Sequence, residues 1–373
     1  MANQNLLILG GFGRVGMEAA THLLKNTTAN LTLASRTIRA IPSALQSRFG
    51  DRIATLQLDV NDEKTLIAAC HQADVMISCI GPSGIVGDTV AQVCKKTQTP
   101  LVDAGGYDPV WHRLEQAEAI TASTIPLIIN VGLLPGLSGM FPKYVIDATA
   151  QGRKVKQLDV QYVGRDAWSY NSAWDIINGL GDFGNEKGFC FIHRHQMVKV
   201  PMRKATNKAH FPDPIGRVST MLLYAEEITR LAKQYDIETA RVFGANIGPR
   251  ATFVALIAKV FRLYQSRKGI DRAAKWMAKA SKKDMRKLAP AYGIQVDITY
   301  ESGHPVTAQL MLADTYQATG AIMAIATRAV LDGKTAGPGV YSLHEAMTSQ
   351  RFMQDLEASG LLTFNTAKSI ENK

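Results

Sequence analysis

The sequence predicts an α/β fold, a doubly wound parallel sheet joined to a second, α+β domain. Three observations carry that prediction. A short apolar run, Asn5-Leu-Leu-Ile-Leu9, passes directly into Gly10-Gly11-Phe12-Gly13-Arg14-Val15-Gly16. Apolar strands then alternate with helical patterns through the first third of the chain. Beyond residue 150 that alternation gives way to longer strands and polar connections.

Asn5–Leu9 is apolar almost throughout, as a strand covered on both faces must be. Gly11, Gly13 and Gly16 then form a Gly-x-Gly-x-x-Gly turn. The first glycine permits a tight turn, the second lets backbone amides approach a pyrophosphate, and the third lets helix and strand pack closely. The helix that follows places Ala19, Ala20, Leu23 and Leu24 on one face. Its N-terminus aims unpaired N–H groups and a positive dipole end at the phosphates. Gly11, Phe12, Gly13, Arg14, Val15 and Gly16 are therefore candidate cofactor contacts.

A second strand, Leu31–Ala34, leads into Ser35-Arg36-Thr37, and Arg36 lies 20 residues past Gly16. An NAD-preferring site places an acid there to bind the ribose hydroxyls. Arginine cannot accept those bonds, but its fork holds a 2′-phosphate and its plane stacks on adenine. The reading is NADP(H) over NAD(H), with a solvated strand-end arginine as the alternative. A third strand, Ile53–Asp59, ends at Asp59-Val60, where an adenine ring would rest. A helix over 64–72 precedes a fourth strand, Asp74–Ile80, which delivers Cys79, Ile80, Gly81 and Pro82 to the same edge. A helix over 87–96, a fifth strand (Pro100–Asp103), a helix over 109–122 and a sixth strand (Pro126–Asn130) complete a Rossmann sheet. Ligands of such sheets bind beyond the carboxyl ends of the strands. Gly81–Ser83, Asp103–Asp108 and Gly132–Gly139 all fall there.

After a helix over 137–150, strand-like runs appear at Val155–Val163, Phe189–Val200 and Gly293–Tyr300. Helices are expected at 173–180, 219–235 and, as one long element, 251–288. The expected division is a Rossmann domain over 1–130, joined again by about 305–373, and an α+β substrate and dimerisation domain over 131–304. Thr315–Leu331 is apolar nearly all round, which implies burial, and Asp332-Gly333 suits its C-terminal cap.

Composition is that of an ordinary globular protein, 46% hydrophobic and 20% charged. Cys70, Cys79, Cys94 and Cys190 are scattered without a C-x-x-C pair, which points to a reducing compartment, the cytoplasm. The N-terminal apolar run has no basic segment before it and flows into the glycine turn, so it reads as a strand and not a signal peptide. Residues 262–287 hold ten Lys or Arg against Asp271 and Asp284. This block reads either as a solvated helix face or as a basic amphipathic helix making peripheral contact with anionic lipid. No recognised nucleic-acid module accompanies it, so no nucleic-acid partner is expected.

Hydride transfer needs chiefly a positioned acceptor carbon and an excluded solvent. Candidates for the accompanying proton transfer are Asp103, Tyr107 and Asp108, with Asp108 also suited to cap the helix beginning at Pro109. A small anionic substrate would call on arginines of the second domain, among them Arg165 and Arg217. Trp168 and Tyr170 would wall the nicotinamide or else pack in the core. His193-x-His195 places two imidazoles on one strand face without a third ligand spaced for zinc, so no metal is expected. Ser138 lacks the Gly-x-Ser-x-Gly frame of a hydrolase nucleophile.

Several of these segments resemble the saccharopine dehydrogenase family of NADP-binding oxidoreductases. Val75-Met-Ile-Ser-Cys-Ile-Gly-Pro82 is similar to the family's strand ending in a proline beside the nicotinamide. Gly132-Leu-Leu-Pro-Gly-Leu-Ser-Gly139 resembles its Gly-Leu-x-Pro-Gly turn. Tyr316-Gln-Ala-Thr-Gly320 and Leu331-Asp-Gly-Lys334 resemble its closing helix. The resemblance implies hydride exchange between NADP(H) and a carbon–nitrogen bond, in an imine or amino-acid adduct, and a homodimer is the default assembly. An acyl- or enoyl-chain reductase docking through the basic helix, and a non-catalytic NADP(H) sensor, are the alternatives.

Overall fold

A computed structural model describes residues 4–105, 108–180 and 189–366, the side chains of residues 108 and 109 excepted. The chain forms two units. The first comprises Met1–Leu137 with Tyr316–Ser359, the second Ser138–Thr315 with Gly360–Lys373.

The first unit carries β1 (Asn5–Leu9), β2 (Asn30–Ser35), β3 (Ile53–Gln57), β4 (Val75–Ser78), β5 (Leu101–Asp103) and β6 (Pro126–Ile129). The second carries β7 (Val155–Arg165), β8 (Cys190–His193), β9 (Gln196–Lys199), β10 (Thr206–His210), β11 (Arg217–Leu222), β12 (Thr239–Asn246), β13 (Ala291–Tyr300) and β14 (Pro305–Leu312). β15 (Gly339–Ser342) returns to the first sheet, and β16 (Leu362–Asn365) ends the second.

The first sheet is parallel, in the order β15-β6-β5-β4-β1-β2-β3, the doubly wound arrangement with its switch point between β1 and β4. Four of β1's five residues are buried, as expected for a central strand covered on both faces. Leu7, Leu9, Met76, Leu101, Leu127 and Trp111 anchor one core cluster. The helix Arg14–Asn26 buries Gly16, Ala19, Ala20, Leu23 and Leu24 against the sheet. The helix Thr315–Leu331 crosses the boundary between the units, and the first unit begins again at Tyr316.

The second sheet has nine strands in mixed orientation, with β10-β11-β12-β7-β13-β14-β16 forming its main path. β7 is central, parallel to β12 and antiparallel to β13. Four expectations are corrected here. Residues 219–222 belong to β11, paired with β10 and β12, and the expected helix there starts only at Glu226. The helix expected over 251–288 is two, Pro249–Val260 and Arg267–Asp284, folded back on each other through Arg262, whose backbone is left-handed. The return to the first unit falls at Tyr316 and not near 305, because β14 is the antiparallel partner of β13; β16 likewise stays with the second sheet. His195 is not on the strand face of His193: Arg194 and His195, both with positive φ, turn the β8–β9 hairpin.

Candidate active site

The carboxyl edge of the first sheet gathers the predicted cofactor residues. Gly10 leaves β1 with φ +73°, and a Cβ there would sit 2.8 Å from the Cys79 carbonyl oxygen, so the left-handed step of the turn belongs to Gly10. Gly11 is required for a different reason than the tight turn expected of it: a Cβ would meet Leu33 of β2 at 2.9 Å. A Cβ on Gly16 would lie 2.3 Å from the Gly10 carbonyl oxygen, which fixes the close packing of helix on turn. Gly13 differs from both. Its added Cβ would meet only the Gly10 oxygen, at 3.1 Å, and the position is exposed. It also precedes Arg14 as the helix N-cap without any side-chain cap, so the first-turn N–H groups face outward as a phosphate cradle. Phe12 and Val15 are half-buried beside it.

Ser35, at the end of β2, donates its hydroxyl to the Thr37 carbonyl and accepts from the Thr37 N–H at 3.2 Å, shaping the loop on which Arg36 stands exposed. Arg39, also exposed on that loop, is a second cation that the sequence reading did not single out. Gln57 of β3 donates to the Arg36 carbonyl at 3.1 Å. Asp59 is exposed and accepts from the backbone and side chain of Asn61, while Val60 is half-buried against the core. The Cys79 N–H donates to the Leu9 carbonyl at 2.9 Å, locking the β4 exit against the glycine turn. Burial, reinforced by Asp103, pushes the Cys79 thiol well above its ordinary pKa, so it stays protonated.

Asp103 ends β5, one strand further along the same edge. Its carboxylate accepts the Gly105 N–H at 2.7 Å. Burial pushes its pKa up to about 6, opposed first by the Gly105 N–H and then by the nearby Ser78 hydroxyl. The Val131 N–H donates to the Asp103 carbonyl at 3.0 Å, which ties this strand end to the 132–137 turn. That turn closes through the Leu137 N–H on the Gly132 carbonyl at 2.8 Å. Ile80, Gly81 and Pro82 lead from β4 into a short helix over 83–86. Asp108 begins the helix Asp108–Ile120, and Tyr107 lies outside the described residues.

Two contacts within this unit add to the site. The Arg14 guanidinium lies 3.3 Å from the centre of the Tyr316 ring, a cation–π pair that holds the first residue of the phosphate-facing helix. Gly320, on the same helix as Tyr316, lets it approach the Arg14–Asn26 helix so closely that a Cβ would meet Glu18 Cβ at 2.4 Å. The sequence signal was present in Tyr316-Gln-Ala-Thr-Gly320, but its partner was not legible from spacing.

The second unit does not gather the four expected substrate residues. Arg165 is buried, and its guanidinium donates to the Ala289 and Pro214 carbonyls at 2.8 Å each, bracing two loops of its own unit. Burial lowers its pKa. Arg217 is exposed at the start of β11. Trp168 packs with the helical hairpin and Tyr170 donates to Asp271 at 2.9 Å, so both serve helix packing. A separate buried pair joins the Ser138 hydroxyl to Glu227.

The fold and the glycine cradle define a dinucleotide-binding oxidoreductase-type Rossmann domain. Residues 6–124 match the model of the saccharopine dehydrogenase NADP binding domain. The chain is 25% identical over 240 residues to saccharopine dehydrogenase [NADP(+), L-glutamate-forming] of Saccharomyces cerevisiae, an alignment covering 64% of this chain and 48% of that protein. It thus matches about half the length of that curated relative. The apo structure of yeast saccharopine dehydrogenase (L-Glu forming) superposes with a TM-score of 0.68 at 18% identity, covering 98% of this chain and 99% of that one. The first domain is an NADP(H)-binding domain that matches the saccharopine dehydrogenase type over residues 6–124.

Proposed function

We propose that the protein is an NADP(H)-dependent oxidoreductase that transfers hydride to or from a carbon–nitrogen bond of a small anionic amino-acid adduct or imine. One observation carries this reading: a carboxyl group with a pKa pushed up to about 6, Asp103, stands at the same sheet edge as the glycine cradle. Bound NADP(H) supplies or accepts the hydride. The chain's own residues do the rest. The N–H groups that follow Gly13 hold the pyrophosphate, and Arg36 with Arg39 holds the 2′-phosphate.

Asp103 is the proposed acid and base. When hydride adds to the imine carbon, the nitrogen gains a proton, and Asp103 gives it; in the reverse direction Asp103 takes it. A pKa near neutrality suits both directions, since the group then exchanges protons readily at physiological pH. The relative's name describes NADP+-dependent, L-glutamate-forming chemistry, which supports a carbon–nitrogen substrate. A cytoplasmic location belongs to the same reading, supported by four cysteines that are free thiols.

The test is NADPH oxidation across a panel of oxo acids paired with amino acids or ammonia. Turnover with at least one pair is expected, and Asp103→Asn lowers kcat by roughly 100- to 10,000-fold while NADPH still binds. NADPH binding without turnover on any pair would reduce the protein to a nucleotide sensor.

A further inference from the structure

The whole chain carries a formal net charge of +10, and residues 249–287 alone account for all of it, with twelve Lys or Arg against Asp271 and Asp284. Each acid engages one arginine of the segment, Asp284 with Arg250 and Asp271 with Arg267, both at 3.2 Å. Asp284 is buried and accepts from the backbone N–H groups of Arg250 and Ala251. Asp271 is engaged by Tyr170, Trp174 and Arg267.

The same segment inverts the usual distribution of apolar size. On the helix Pro249–Val260 the small Ala251 and Ala258 are buried against the helix Arg267–Asp284. Phe253, Leu256 and Val260, spaced as one outward stripe and extended by Phe261, are 57–70% exposed. Trp276, from the second helix, faces Phe253 across an open groove of about 680 Å³ rimmed by Arg250, Lys279 and Lys283. A contiguous apolar patch ringed by cations marks an interaction surface, and it needs an occupant that is both apolar and anionic.

We propose that this helical hairpin docks on an anionic phospholipid bilayer. Phe253, Leu256, Val260, Phe261 and Trp276 enter the boundary between headgroups and acyl chains, while Arg250, Lys279 and Lys283 meet lipid phosphates. A second copy of the chain is a poor occupant, because a two-fold axis through the patch would set the positive surface against itself. Among the described residues no helix is long and apolar enough to cross a membrane, so the hairpin lies on the surface. Most of the apolar surface comes from residues 253–261, which precede the basic block, and Trp276 adds to it from within that block. The inference is independent of the reaction proposed above.

The experiment uses the full chain with phosphatidylcholine vesicles, with and without phosphatidylglycerol, at low and high salt. Flotation with the anionic vesicles only, weakening at high salt, is expected. Trp276 is the one exposed tryptophan of the four, so lipid insertion shifts its emission to the blue, and Trp276→Phe removes the shift. The double variant Lys279→Gln, Lys283→Gln lowers partitioning on the order of 25-fold, about fivefold per charge. The double variant Phe253→Ser, Phe261→Ser abolishes the shift and the flotation while NADPH binding and melting temperature hold. Three results would overturn the proposal. One is no binding to anionic vesicles, whether or not an acidic protein binds the face. The second is binding that the serine variant retains in full. The third is a wild-type dimer that the serine variant converts to monomer in sedimentation.

Discussion

Gly320→Ala tests how tightly the closing helix is seated. In an unhindered helix this change stabilises by about 1 kcal/mol, because alanine loses less backbone entropy than glycine. Here the new Cβ would lie 2.4 Å from Glu18 Cβ and 2.7 Å from the Ala19 backbone nitrogen. Carbon atoms in contact sit about 3.5–4.0 Å apart, so the two helices must separate by about 1–1.5 Å. Neither obstacle is the far end of a flexible side chain. Overpacking of this kind costs about 1–3 kcal/mol, and the backbone here places it at the upper end. Set against the helix preference, the net loss is about 1–2 kcal/mol, a fall of roughly 2–8 °C in melting temperature for a unit of this size. The same shift moves Tyr316 away from Arg14, so NADPH affinity falls as well. Differential scanning fluorimetry with and without NADPH reads both effects. Gly179→Ala is the control: nothing lies within 4 Å of its added Cβ, and it should be neutral or stabilising by about 0.4–1 kcal/mol. A Gly320→Ala protein that melts higher than wild type, as the control does, would refute the packing argument.

Three further outcomes follow from the geometry. Asp103 has a folded-state pKa of about 6, above its ordinary value of 3.8, so the folded protein holds its proton more tightly than the unfolded chain does. Its contribution is greatest below pH 4 and is lost as pH rises through 6; Asp103→Asn therefore raises stability at pH 8 by up to about 3 kcal/mol and leaves it unchanged at pH 4, read by denaturant melts. An equal effect at both pH values contradicts the assigned titration. Asp284→Ala leaves the buried N–H groups of Arg250 and Ala251 without their acceptor and costs about 3 kcal/mol, seen as lost hydrogen-exchange protection at the start of the Pro249–Val260 helix. Unchanged protection there would show that the cap is not needed. Gly13→Val fills the open side of the cradle and should abolish NADPH binding at a modest cost in melting temperature, since its Cβ meets only the Gly10 oxygen, at 3.1 Å. Retained affinity would place the pyrophosphate elsewhere.

The first sheet was legible because its signals are local. A buried run, a glycine turn and a helix follow one another within Asn5–Asn26, and each strand closes on its own loop. The second unit was harder for a physical reason. Val218–Leu222 satisfies both a helical and a strand period, and only its pairing with the hairpin partner β10 and with β12 decides it. The reversal at Arg262 carries no glycine or proline, so the local pattern is that of a continuous helix, and the hairpin is set by the burial of Ala251, Ala258 and Met277 in one cluster. Site residues split in the same way. Arg36, Asp103 and the glycines lie at strand ends, where topology places them together. Arg165 looked available because sequence does not reveal that its guanidinium braces Ala289 and Pro214. The Tyr316–Arg14 pair spans most of the chain, and no spacing rule reaches that far.

Calorimetric titration with NADPH and with NADH tests the cofactor assignment most directly. Charge-assisted bonds from Arg36 to a 2′-phosphate contribute about 1.5–3 kcal/mol, so NADPH should bind roughly 10- to 100-fold more tightly, and Arg36→Ala should erase most of that preference. Equal affinity for the two nucleotides, or heat from neither, would contradict the account.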